Sequence, residues 1–390
     1  MTPGWFRATA WAVHRVAWRM RLLEYGLSAV EKEVTTTVRM PWHLRPRLWL
    51  RGFLAHSHVL YRFDCNDPND YLTDVQRFVG SRTINGPYAV LLDDKLVFDR
   101  LLADFADLKP RLFGVLEGPN VVPAHGPRPA CPAIALRDLV RDQGKVAVKP
   151  ILGGGGRGFA AVGCDADGGF RINGKAATPA AVDELGVPHG TKMVTEFIET
   201  HPCLAAPYRP AANTLRLLTV QDEQDRPFVA RAVARFGCSS SGTTDNWSSG
   251  GLCAAIDMDT GLLSRAARFP AEQDCVTWHD RHPETGVPIA GLEVPHWHAI
   301  RRQIAGLAAS FPYLPYVGWD LIVTQDGFRV LEGNAYSGVN MFQIHEPLLT
   351  DPRLLAFYRR KGVIRDVPGP SANRSAAARA LPDPIERNRP

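Results

Sequence analysis

The sequence lacks the cysteine patterns that build a disulfide framework or a zinc site. Its seven cysteines contain no Cys-x-x-Cys pair and are odd in number, which indicates reduced thiols in a cytoplasmic protein. It also lacks an apolar run approaching the roughly 18 residues of a membrane-spanning helix, and its N-terminus shows no signal-peptide cleavage pattern. We therefore expect a soluble protein, or at most one that is peripheral at the inner face of a membrane.

Net positive charge is absent outside the first fifty residues. Residues 1–50 carry seven Arg and one Lys against three Glu, which accounts for the whole net charge of +5. Because the rest of the chain is neutral, no basic stripe predicts nucleic-acid binding. The same fifty residues hold five of the nine tryptophans. We expect an N-terminal Trp- and Arg-rich helix that contacts the body of the protein, a partner protein or an anionic membrane surface.

A hairpin is predicted late in the sequence. Residues 319–324 and 328–332 are rich in β-branched and aromatic residues, which favours strands. Gln325-Asp326-Gly327 fits a three-residue loop between them, in which the glycine supplies the left-handed conformation. Counting back along both strands from this loop places Asp320 directly opposite Glu332.

The two facing carboxylates indicate a divalent cation site. Directly opposed side chains have Cβ atoms roughly 5 Å apart, and two like charges so placed are destabilising unless a positive charge lies between them. Asn334, two residues after Glu332, falls on the same face of the hairpin. Oxygen ligands of this kind suit Mg²⁺, with Mn²⁺ as a substitute, because these ions complete their shell with water and substrate phosphates. The alternative is a solvated hairpin that carries scattered charge.

A glycine-rich motif upstream supports a nucleotide site. Residues 145–149 alternate as a short strand, which Lys149 closes and Pro150 then breaks. The motif that follows consists of Gly153, Gly154, Gly155, Gly156, Arg157 and Gly158. Residues without a Cβ bring bare backbone amides against a phosphate. The motif has neither the Gly-Lys-Ser/Thr ending of a Walker A loop nor the helix of a dinucleotide fingerprint. We therefore predict a flexible loop that closes over a nucleotide as a lid.

Five regions are predicted along the chain. They are a helical N-terminal region (1–88), a connecting segment (89–143), a lid subdomain (144–200), a C-terminal subdomain with the cation site (201–365) and a disordered tail (366–390). Within them, the apolar spacing predicts helices over 94–105 and 298–310. The proline-rich residues 110–133 predict a loop.

The order of the motifs resembles that of the ATP-grasp superfamily, over about residues 90–350. Within it, the chain is most similar to the branch found beside sugar-transfer and polysaccharide genes and related to α-L-glutamate ligases. The segments that carry the resemblance are the Lys149 strand with its glycine loop, 193–198, 213–216, 245–252, 282–286, 294–297 and 318–334. The resemblance implies an α+β fold, in which two α+β subdomains clasp ATP.

The resemblance also implies roles for individual residues. Phosphate contacts fall to Lys95, Lys149 and the glycine loop, and adenine contacts to Glu196, Phe197 and Ile198, with Glu199 as a guess for the ribose. Catalytic charge neutralisation falls to Arg216 and Arg235, and substrate or phosphate contacts to Asn246, Ser248, Ser249 and Gly250. The alternatives are a solvated helix lysine at 95, an ordinary salt-bridge arginine at 216 or 235, and a plain surface loop at 246–250.

The implied activity is that of a carboxylate–amine ligase. A small-molecule carboxylate would attack ATP to give an acylphosphate and ADP, and an amine would then displace phosphate to form an amide. The branch suggests an amino sugar, a glycan precursor or another specialised metabolite as substrate. The alternatives are a kinase that phosphorylates a hydroxyl and a non-catalytic ATP-binding module of a glycan-assembly complex. One departure is that Gly318-Trp319 stands where many such ligases carry an arginine.

Overall fold

The computed structural model of the protein describes residues 24, 26–27, 29–36, 38, 40–125, 133–270 and 275–364. The predicted Trp- and Arg-rich N-terminal helix falls largely on residues 1–23, and the predicted disordered tail on 366–390. Both predictions lie outside the described residues. Within the described ranges, no helix has both the length and the apolar character needed to cross a membrane.

The helices lie mainly at the two ends of the described chain. They are α1 (Arg45–Leu50), α2 (Ala55–Tyr61), α3 (Val90–Asp93), α4 (Lys95–Leu101), α5 (Leu136–Gln143), α6 (Pro179–Asp183), α7 (Pro202–Ala205), α8 (Trp297–Ala309), α9 (Asn340–Gln343) and α10 (Pro352–Arg360). The helices predicted over 94–105 and 298–310 are confirmed as α4 and α8. The first is shorter than predicted, because the α-helix gives way after Leu101 to tighter turns that contain a kink at Phe105.

An eight-stranded antiparallel sheet, the lid sheet, has the order β3-β2-β1-β8-β4-β5-β6-β7. Its strands are β1 (Leu112–Glu117), β2 (Asn120–Val122), β3 (Ile134–Ala135), β4 (Lys145–Pro150), β5 (Ala160–Cys164), β6 (Phe170–Ile172), β7 (Lys175–Ala177) and β8 (Lys192–Glu196). Helix α5 buries Leu136, Leu139 and Val140 against β4 and β5. These positions recur at the spacing of one helix face, so the helix and the sheet share one core.

The predicted loop over 110–133 is wrong for its first half, because β1 and β2 occupy it. Three prolines next to the two strands, Pro110, Pro119 and Pro123, flank them and do not interrupt them, so the hydrogen-bond ladder is intact. β1 pairs with β8, which places it in the same sheet as the strand of the glycine motif. The connecting segment and the predicted lid therefore share one sheet.

A seven-stranded antiparallel sheet, the C-terminal sheet, has the order β13-β12-β11-β10-β9-β14-β15. Its strands are β9 (Thr214–Gln221), β10 (Pro227–Phe236), β11 (Leu252–Ile256), β12 (Leu263–Arg268), β13 (Thr277–His279), β14 (Tyr316–Thr324) and β15 (Gly327–Asn334). Helix α8 packs on β9 and β10 through Ile300, Ile304 and Leu307. β9 and β14 are buried along nearly their whole length, which makes them the rigid centre of the molecule.

The described N-terminal region docks on the segment that follows β15. The side chain of Gln343 accepts a hydrogen bond from the Leu72 amide at 2.7 Å and donates to the Leu72 carbonyl and the Tyr61 hydroxyl at 3.1 Å. All three residues are buried. The N-terminal helices are thus held against the part of the chain that leaves the predicted cation hairpin.

Candidate active site

A cavity of about 290 Å³ is lined by residues of both sheets. It brings together most of the residues that the sequence singles out: Lys95, Lys149, Gly154, Gly155, Gly156, Arg157, Glu196, Phe197, Ile198, Arg216, Arg235, Asn246, Asp320, Glu332 and Asn334. Its lining does not include Gly158, Ser248, Ser249 or Gly250. Segments more than 200 residues apart in the sequence thus converge on one site.

The hairpin places Asp320 opposite Glu332, as predicted, but by a different route. The turn has two residues, because Thr324 pairs with Gly327, so the predicted three-residue loop is wrong and the strands are shifted by one. A bulge then inserts Leu331 between the Leu321–Val330 and Asp320–Glu332 pairs. A bulge adds one residue to one strand, so the two shifts cancel and the carboxylates face each other.

Asp320 is held by two arginines from neighbouring strands. Arg216 lies across from it on β9 and grips the carboxylate with both Nε and Nη2, the second at 2.6 Å. Arg235 Nη2 lies 3.2 Å from Asp320 Oδ2. Burial opposes ionisation of Asp320, but the two guanidiniums outweigh it and hold the pKa of this carboxyl at about 2. Asp320 is therefore a fixed negative charge between two fixed positive charges.

Thr214 and Asp245 extend this network, and sequence reasoning missed both. Asp245 Oδ2 accepts hydrogen bonds from the Thr214 amide at 2.9 Å and from its hydroxyl. It also lies 3.4 Å from Arg235 Nε. Asp245 begins one of the motifs that carry the family resemblance, which is the signal that would have found it. The five buried residues form one connected set, which we name the C-terminal wall: Thr214, Arg216, Arg235, Asp245 and Asp320.

Glu332 has no pair of arginines among the described residues to offset its burial, unlike Asp320. Burial and the charge of Asp320 raise its pKa, against the smaller effects of Lys95 and Arg216. Lys95 Nζ lies 3.6 Å from Glu332 Oε2 and donates to the Gly153 carbonyl at 2.6 Å. Asn334 Nδ2 donates to the Gly318 carbonyl at 3.1 Å, which leaves Asn334 Oδ1 as the atom available to a ligand.

These donors fit a hard divalent cation. Two carboxylates and a carboxamide oxygen are the ligand types that Mg²⁺ takes. The Asp320 charge adds to burial in raising the pKa of Glu332, and a cation between the two carboxylates would lower it. In the described part of the chain, no group of three or more His, Cys, Asp and Glu side chains is arranged to hold a metal. A cation between Asp320 and Glu332 would therefore depend on Asn334 and on ligands from substrate and water to complete its shell.

Lys149 lies on β4 opposite Met193 of β8 and points into the cavity lining. Burial lowers its pKa to about 8, although the Glu332 charge acts in the opposite direction. A lysine in this state gains its full charge when an anion binds beside it. It is suited to contact a phosphate as a compact point charge.

The glycine loop lies against the far side of the cavity. Gly153, Gly155 and Gly156 have φ of +95°, +71° and +73°, which side chains rarely adopt. A Cβ on Gly156 would come within 2.4 Å of Thr244 Cγ2, and one on Gly155 would lie 3.6 Å from Asn246 Nδ2. The lid is therefore closed onto residues that precede β11, as expected of a loop that covers a ligand.

The predicted adenine segment ends β8. Glu196 Oε2 accepts a hydrogen bond from the Arg111 amide at 3.2 Å, and Lys145 Nζ lies 3.6 Å from the centre of the Phe197 ring. Ile198 is buried. Three apolar residues from other segments also line the cavity: Ile322, Leu331 and Met341. Glu199, the guess for the ribose, is exposed and paired with Lys145 at 3.2 Å, outside this cavity.

The predicted substrate loop turns away from the cavity after Asn246. The Asn246 side chain caps the turn, since its Oδ1 accepts from Ser248 and its Nδ2 donates to Ser249. Gly250 closes the turn at φ +97°, where a Cβ would meet Ser240 Oγ at 2.3 Å. Gly158 likewise packs on Pro150, at 2.8 Å from a Cβ to Pro150 Cγ. These residues shape the local backbone.

Comparison with known proteins gives a family match. The profile of the family described as sugar-transfer associated ATP-grasp matches residues 80–354, which is more than half of the chain. No curated protein matches the sequence.

Many solved structures are similar to this chain at low sequence identity. The biotin carboxylase of Campylobacter jejuni is 11% identical, with a TM-score of 0.39, over 71% of this chain and 48% of that chain. The D-alanine–D-alanine ligase of Bacillus anthracis is 14% identical, with a TM-score of 0.35, over 69% and 68%. The L-amino acid ligase of Bacillus licheniformis is 12% identical, with a TM-score of 0.36, over 69% and 49%. This chain thus spans about half the length of the biotin carboxylase, and such distant likenesses carry no argument about activity.

Proposed function

This chain belongs to the sugar-transfer associated ATP-grasp family, and we propose that it is an ATP- and Mg²⁺-dependent carboxylate–amine ligase. The observation that supports this proposal is the composition of the cavity. Five cationic side chains line the cavity with two facing carboxylates and a glycine loop: Lys95, Lys149, Arg157, Arg216 and Arg235. Among the described residues that line the cavity, none is Cys, Ser or His. Phosphoryl transfer needs positioning and charge neutralisation more than a protein nucleophile.

The nucleotide would lie across the cavity. Its phosphates would contact the loop amides, Lys149 and Lys95, because these groups are the positive charges and bare amides on the lid side. Its base would lie near Glu196 and Ile198, where backbone groups end β8. The apolar side chains of Ile322, Leu331 and Met341, which also line the cavity, would pack against the base.

Asp320, Glu332 and Asn334 would hold Mg²⁺. The ion would supply positive charge to the phosphate oxygens, which lowers the barrier to transfer. Lys95, next to Glu332, would share a phosphate contact from the same side. Arg216 and Arg235 are fixed by Asp320 and would stabilise negative charge that develops on the transferred group.

The reaction would proceed in two balanced steps. A substrate carboxylate oxygen would bond to the γ-phosphorus while the bond from that phosphorus to ADP breaks, giving an acylphosphate. An amine nitrogen would then bond to the acyl carbon, inorganic phosphate would leave, and the nitrogen would lose a proton to solvent. The closed loop would exclude water, which would otherwise hydrolyse the acylphosphate. The family context favours an amino sugar or glycan precursor, handled in the cytoplasm or at the inner face of a membrane.

The test is nucleotide turnover by the full-length protein with Mg-ATP and pooled carboxylates, amino acids and amino sugars, with ADP resolved from AMP. We expect ADP and phosphate that depend on both a carboxylate and an amine. Reactions that omit one pool serve as matched controls. AMP and pyrophosphate would exclude the acylphosphate, a phosphorylated product without an amide would identify a kinase, and tight binding without turnover would identify a binding module.

A further inference from the structure

The motif at residues 282–286 carries part of the family resemblance, but none of these described residues lines the cavity. His282 is only 1% exposed, and its Nε2 lies 2.9 Å from the Gly237 carbonyl oxygen. Because a carbonyl oxygen only accepts hydrogen bonds, Nε2 carries the proton. Nδ1 then accepts a hydrogen bond from the Glu284 amide at 3.3 Å. The buried ring thus links the motif to Gly237, the first residue after β10.

Glu284 extends this link to Ser239. Its two carboxylate oxygens lie 3.1 and 2.9 Å from the Ser239 amide nitrogen, and Oε1 accepts a hydrogen bond from the Ser239 hydroxyl at 2.7 Å. Partial burial acts to raise the pKa of Glu284, but the hydrogen bonds from Ser239 outweigh it and lower the pKa. Thr285 adds a further contact, since its hydroxyl donates to the Pro207 carbonyl at 2.8 Å. We name residues 282–285 the clasp.

The clasp holds the loop of residues 237–246, which we name the platform. Within it, Ser241 Oγ donates to the Thr244 carbonyl at 2.6 Å, and Thr244 Oγ1 donates to the Ser241 carbonyl at 3.0 Å. The platform also packs on its own first residue, because a Cβ on Gly237 would come within 3.0 Å of the Thr244 carbonyl oxygen. The place of Thr244 therefore depends on Gly237 and Ser239, the two residues that the clasp holds.

The other end of the platform forms part of the active site. Thr244, Asp245 and Asn246 all line the cavity. A Cβ on Gly156 of the glycine loop would come within 2.4 Å of Thr244 Cγ2. The next residue, Asp245, accepts a hydrogen bond from the Thr214 amide at 2.9 Å within the C-terminal wall. The platform is thus the surface that the closed glycine loop meets, and the clasp holds that surface from behind.

We propose that His282 and Glu284 are positioning residues, which hold the platform where Thr244 receives the closed glycine loop. A surface that is already ordered loses no conformational freedom when a loop closes on it, so the clasp favours the closed lid and slows the release of nucleotide. The effect on nucleotide rests on the proposed function, whereas the contact between the glycine loop and the platform does not.

The first test is the release of a fluorescent, non-hydrolysable ATP analogue with Mg²⁺ from the full-length protein, measured by stopped flow. In Glu284→Ala we expect the dissociation rate to rise about three- to tenfold, the effect of about one hydrogen bond. The association rate should not change, because nucleotide enters before the lid closes. His282→Ala should act in the same way. His282→Gln, whose amide Nε2 can donate to the Gly237 carbonyl, should restore most of the slow release.

A double variant separates positioning from a general loss of stability. The clash that Gly156→Ala creates with Thr244 requires a platform that cannot move. In Glu284→Ala the platform can give way, so Gly156→Ala should cost less affinity in that background than it does alone. The combined loss should therefore be smaller than the product of the two single losses. A purely structural role for Glu284 would give the full product.

Trypsin cleavage after Arg157 measures the lid directly, because this exposed arginine lies in the glycine loop. When opening is fast, cleavage follows the population of the open loop. We expect Glu284→Ala to be cleaved at this bond several-fold faster than the wild type, both with and without the nucleotide analogue. The masses of the fragments identify the bond.

Asp257→Ala is the matched control. Asp257 is also exposed, and its Oδ1 accepts hydrogen bonds from the Asp259 amide at 3.1 Å and from the Thr260 amide and hydroxyl at 2.7 Å. It fixes the turn between β11 and β12. Its loss should lower stability about as much as Glu284→Ala does and leave nucleotide release and cleavage at Arg157 unchanged.

The outcomes are distinct. Unchanged release and cleavage in Glu284→Ala and His282→Ala, or equal changes in Asp257→Ala, would overturn the positioning role. If the wild type binds nucleotide in that case, the proposed function still stands. If the wild type binds no nucleotide, the proposed function fails. Faster cleavage at Arg157 in ligand-free Glu284→Ala would then still support the positioning role, and unchanged cleavage would overturn it.

Discussion

The two walls of the cavity are built on opposite principles. The C-terminal wall joins five buried residues through direct hydrogen bonds and ion pairs, and each charge in it faces an opposite charge. The lid wall, which we define as Lys149 and Gly153–Arg157, offers backbone amides, the Arg157 side chain and a lysine whose pKa burial lowers to about 8. One wall is complete before a ligand arrives, whereas in the other a bound phosphate would raise the pKa of the lysine again and meet the loop amides.

This difference separates two kinds of effect. Fixed dipoles and charges in a buried site stabilise developing charge without rearrangement, so the C-terminal wall should control turnover. Groups that a ligand protonates or buries, such as Lys149 and the loop amides, should control the affinity for the ligand. Substitutions in the two walls should therefore change different measured quantities.

The largest effect is expected for Asp320→Asn. The change removes the negative charge between Arg216 and Arg235 and one predicted cation ligand at once. We expect ATP turnover to fall by about a hundredfold or more and the free energy of unfolding to fall by about 3 kcal/mol, since it leaves buried charges without their partner. Steady-state ADP release and chemical denaturation measure the two quantities.

Asp351→Asn is the matched control for this prediction. The Asp351 side chain is also only 10% exposed and pairs with an arginine, Arg231 at 3.1 Å, but it caps α10 outside the cavity. It should lower stability and leave turnover per folded molecule unchanged. Equal losses of turnover in both variants would show that the C-terminal wall acts through stability alone.

A smaller effect is expected for Lys149→Gln in the lid wall. Removing a charged contact to phosphate should weaken nucleotide binding by about ten- to a hundredfold, with little change in the stability of the ligand-free protein. Fluorescence titration with a labelled ATP analogue measures the affinity. Lys175→Gln, an exposed lysine on β7 of the same sheet, should bind as the wild type does. An unchanged affinity of Lys149→Gln for the ATP analogue would show that Lys149 does not contact the phosphates.

The lowered pKa of Lys149 also predicts proton uptake on binding. The pKa of Lys149 is about 8 in the folded protein, against the ordinary lysine value of 10.5 in the unfolded chain. As the pH falls through this range, the unfolded chain takes up the proton before the folded protein does. The contribution of Lys149 to the free energy of unfolding therefore falls between pH 10.5 and about 8 and is constant below. A bound phosphate reverses this by raising the pKa again. At about pH 8.5 we expect uptake of a fraction of a proton per nucleotide, seen as buffer-dependent binding heat. If Lys149→Gln takes up the same fraction of a proton on nucleotide binding, the proton goes to another group.

The sequence predicted only those parts of the two walls that are formed by residues close together in the chain. The hairpin strands, the glycine motif and Lys149 follow from neighbouring residues, and the opposition of Asp320 and Glu332 was confirmed. The bulge at Leu331 was not predictable, since composition does not distinguish a three-residue turn from a two-residue turn with a later bulge. The effect of the bulge on the register is seen only in the residue pairs of β14 and β15.

The sequence did not predict any of the contacts between distant segments. Arg216 meets Asp320 because β9 lies beside β14, and the two residues are 104 positions apart. Arg77 meets Asn340 across 263 positions. No periodicity or motif encodes which strands or helices become neighbours, so the partners of both arginines depend on the topology of the folded chain.

The smallest expected effect tests whether the lid closes as the structure shows. Gly156→Ala places a Cβ at φ +73°, 2.4 Å from Thr244 Cγ2, and should weaken nucleotide binding by about five- to tenfold, as a strain of about 1 kcal/mol would. Gly154→Ala is the control, because Gly154 has nothing within 4 Å of its Cβ position and no positive φ. Thr244→Ser removes the clashing methyl while retaining the hydroxyl that donates to the Ser241 carbonyl at 3.0 Å. It should therefore restore part of the affinity in the double variant, and additive losses would mean that the loop and Thr244 do not meet when nucleotide binds.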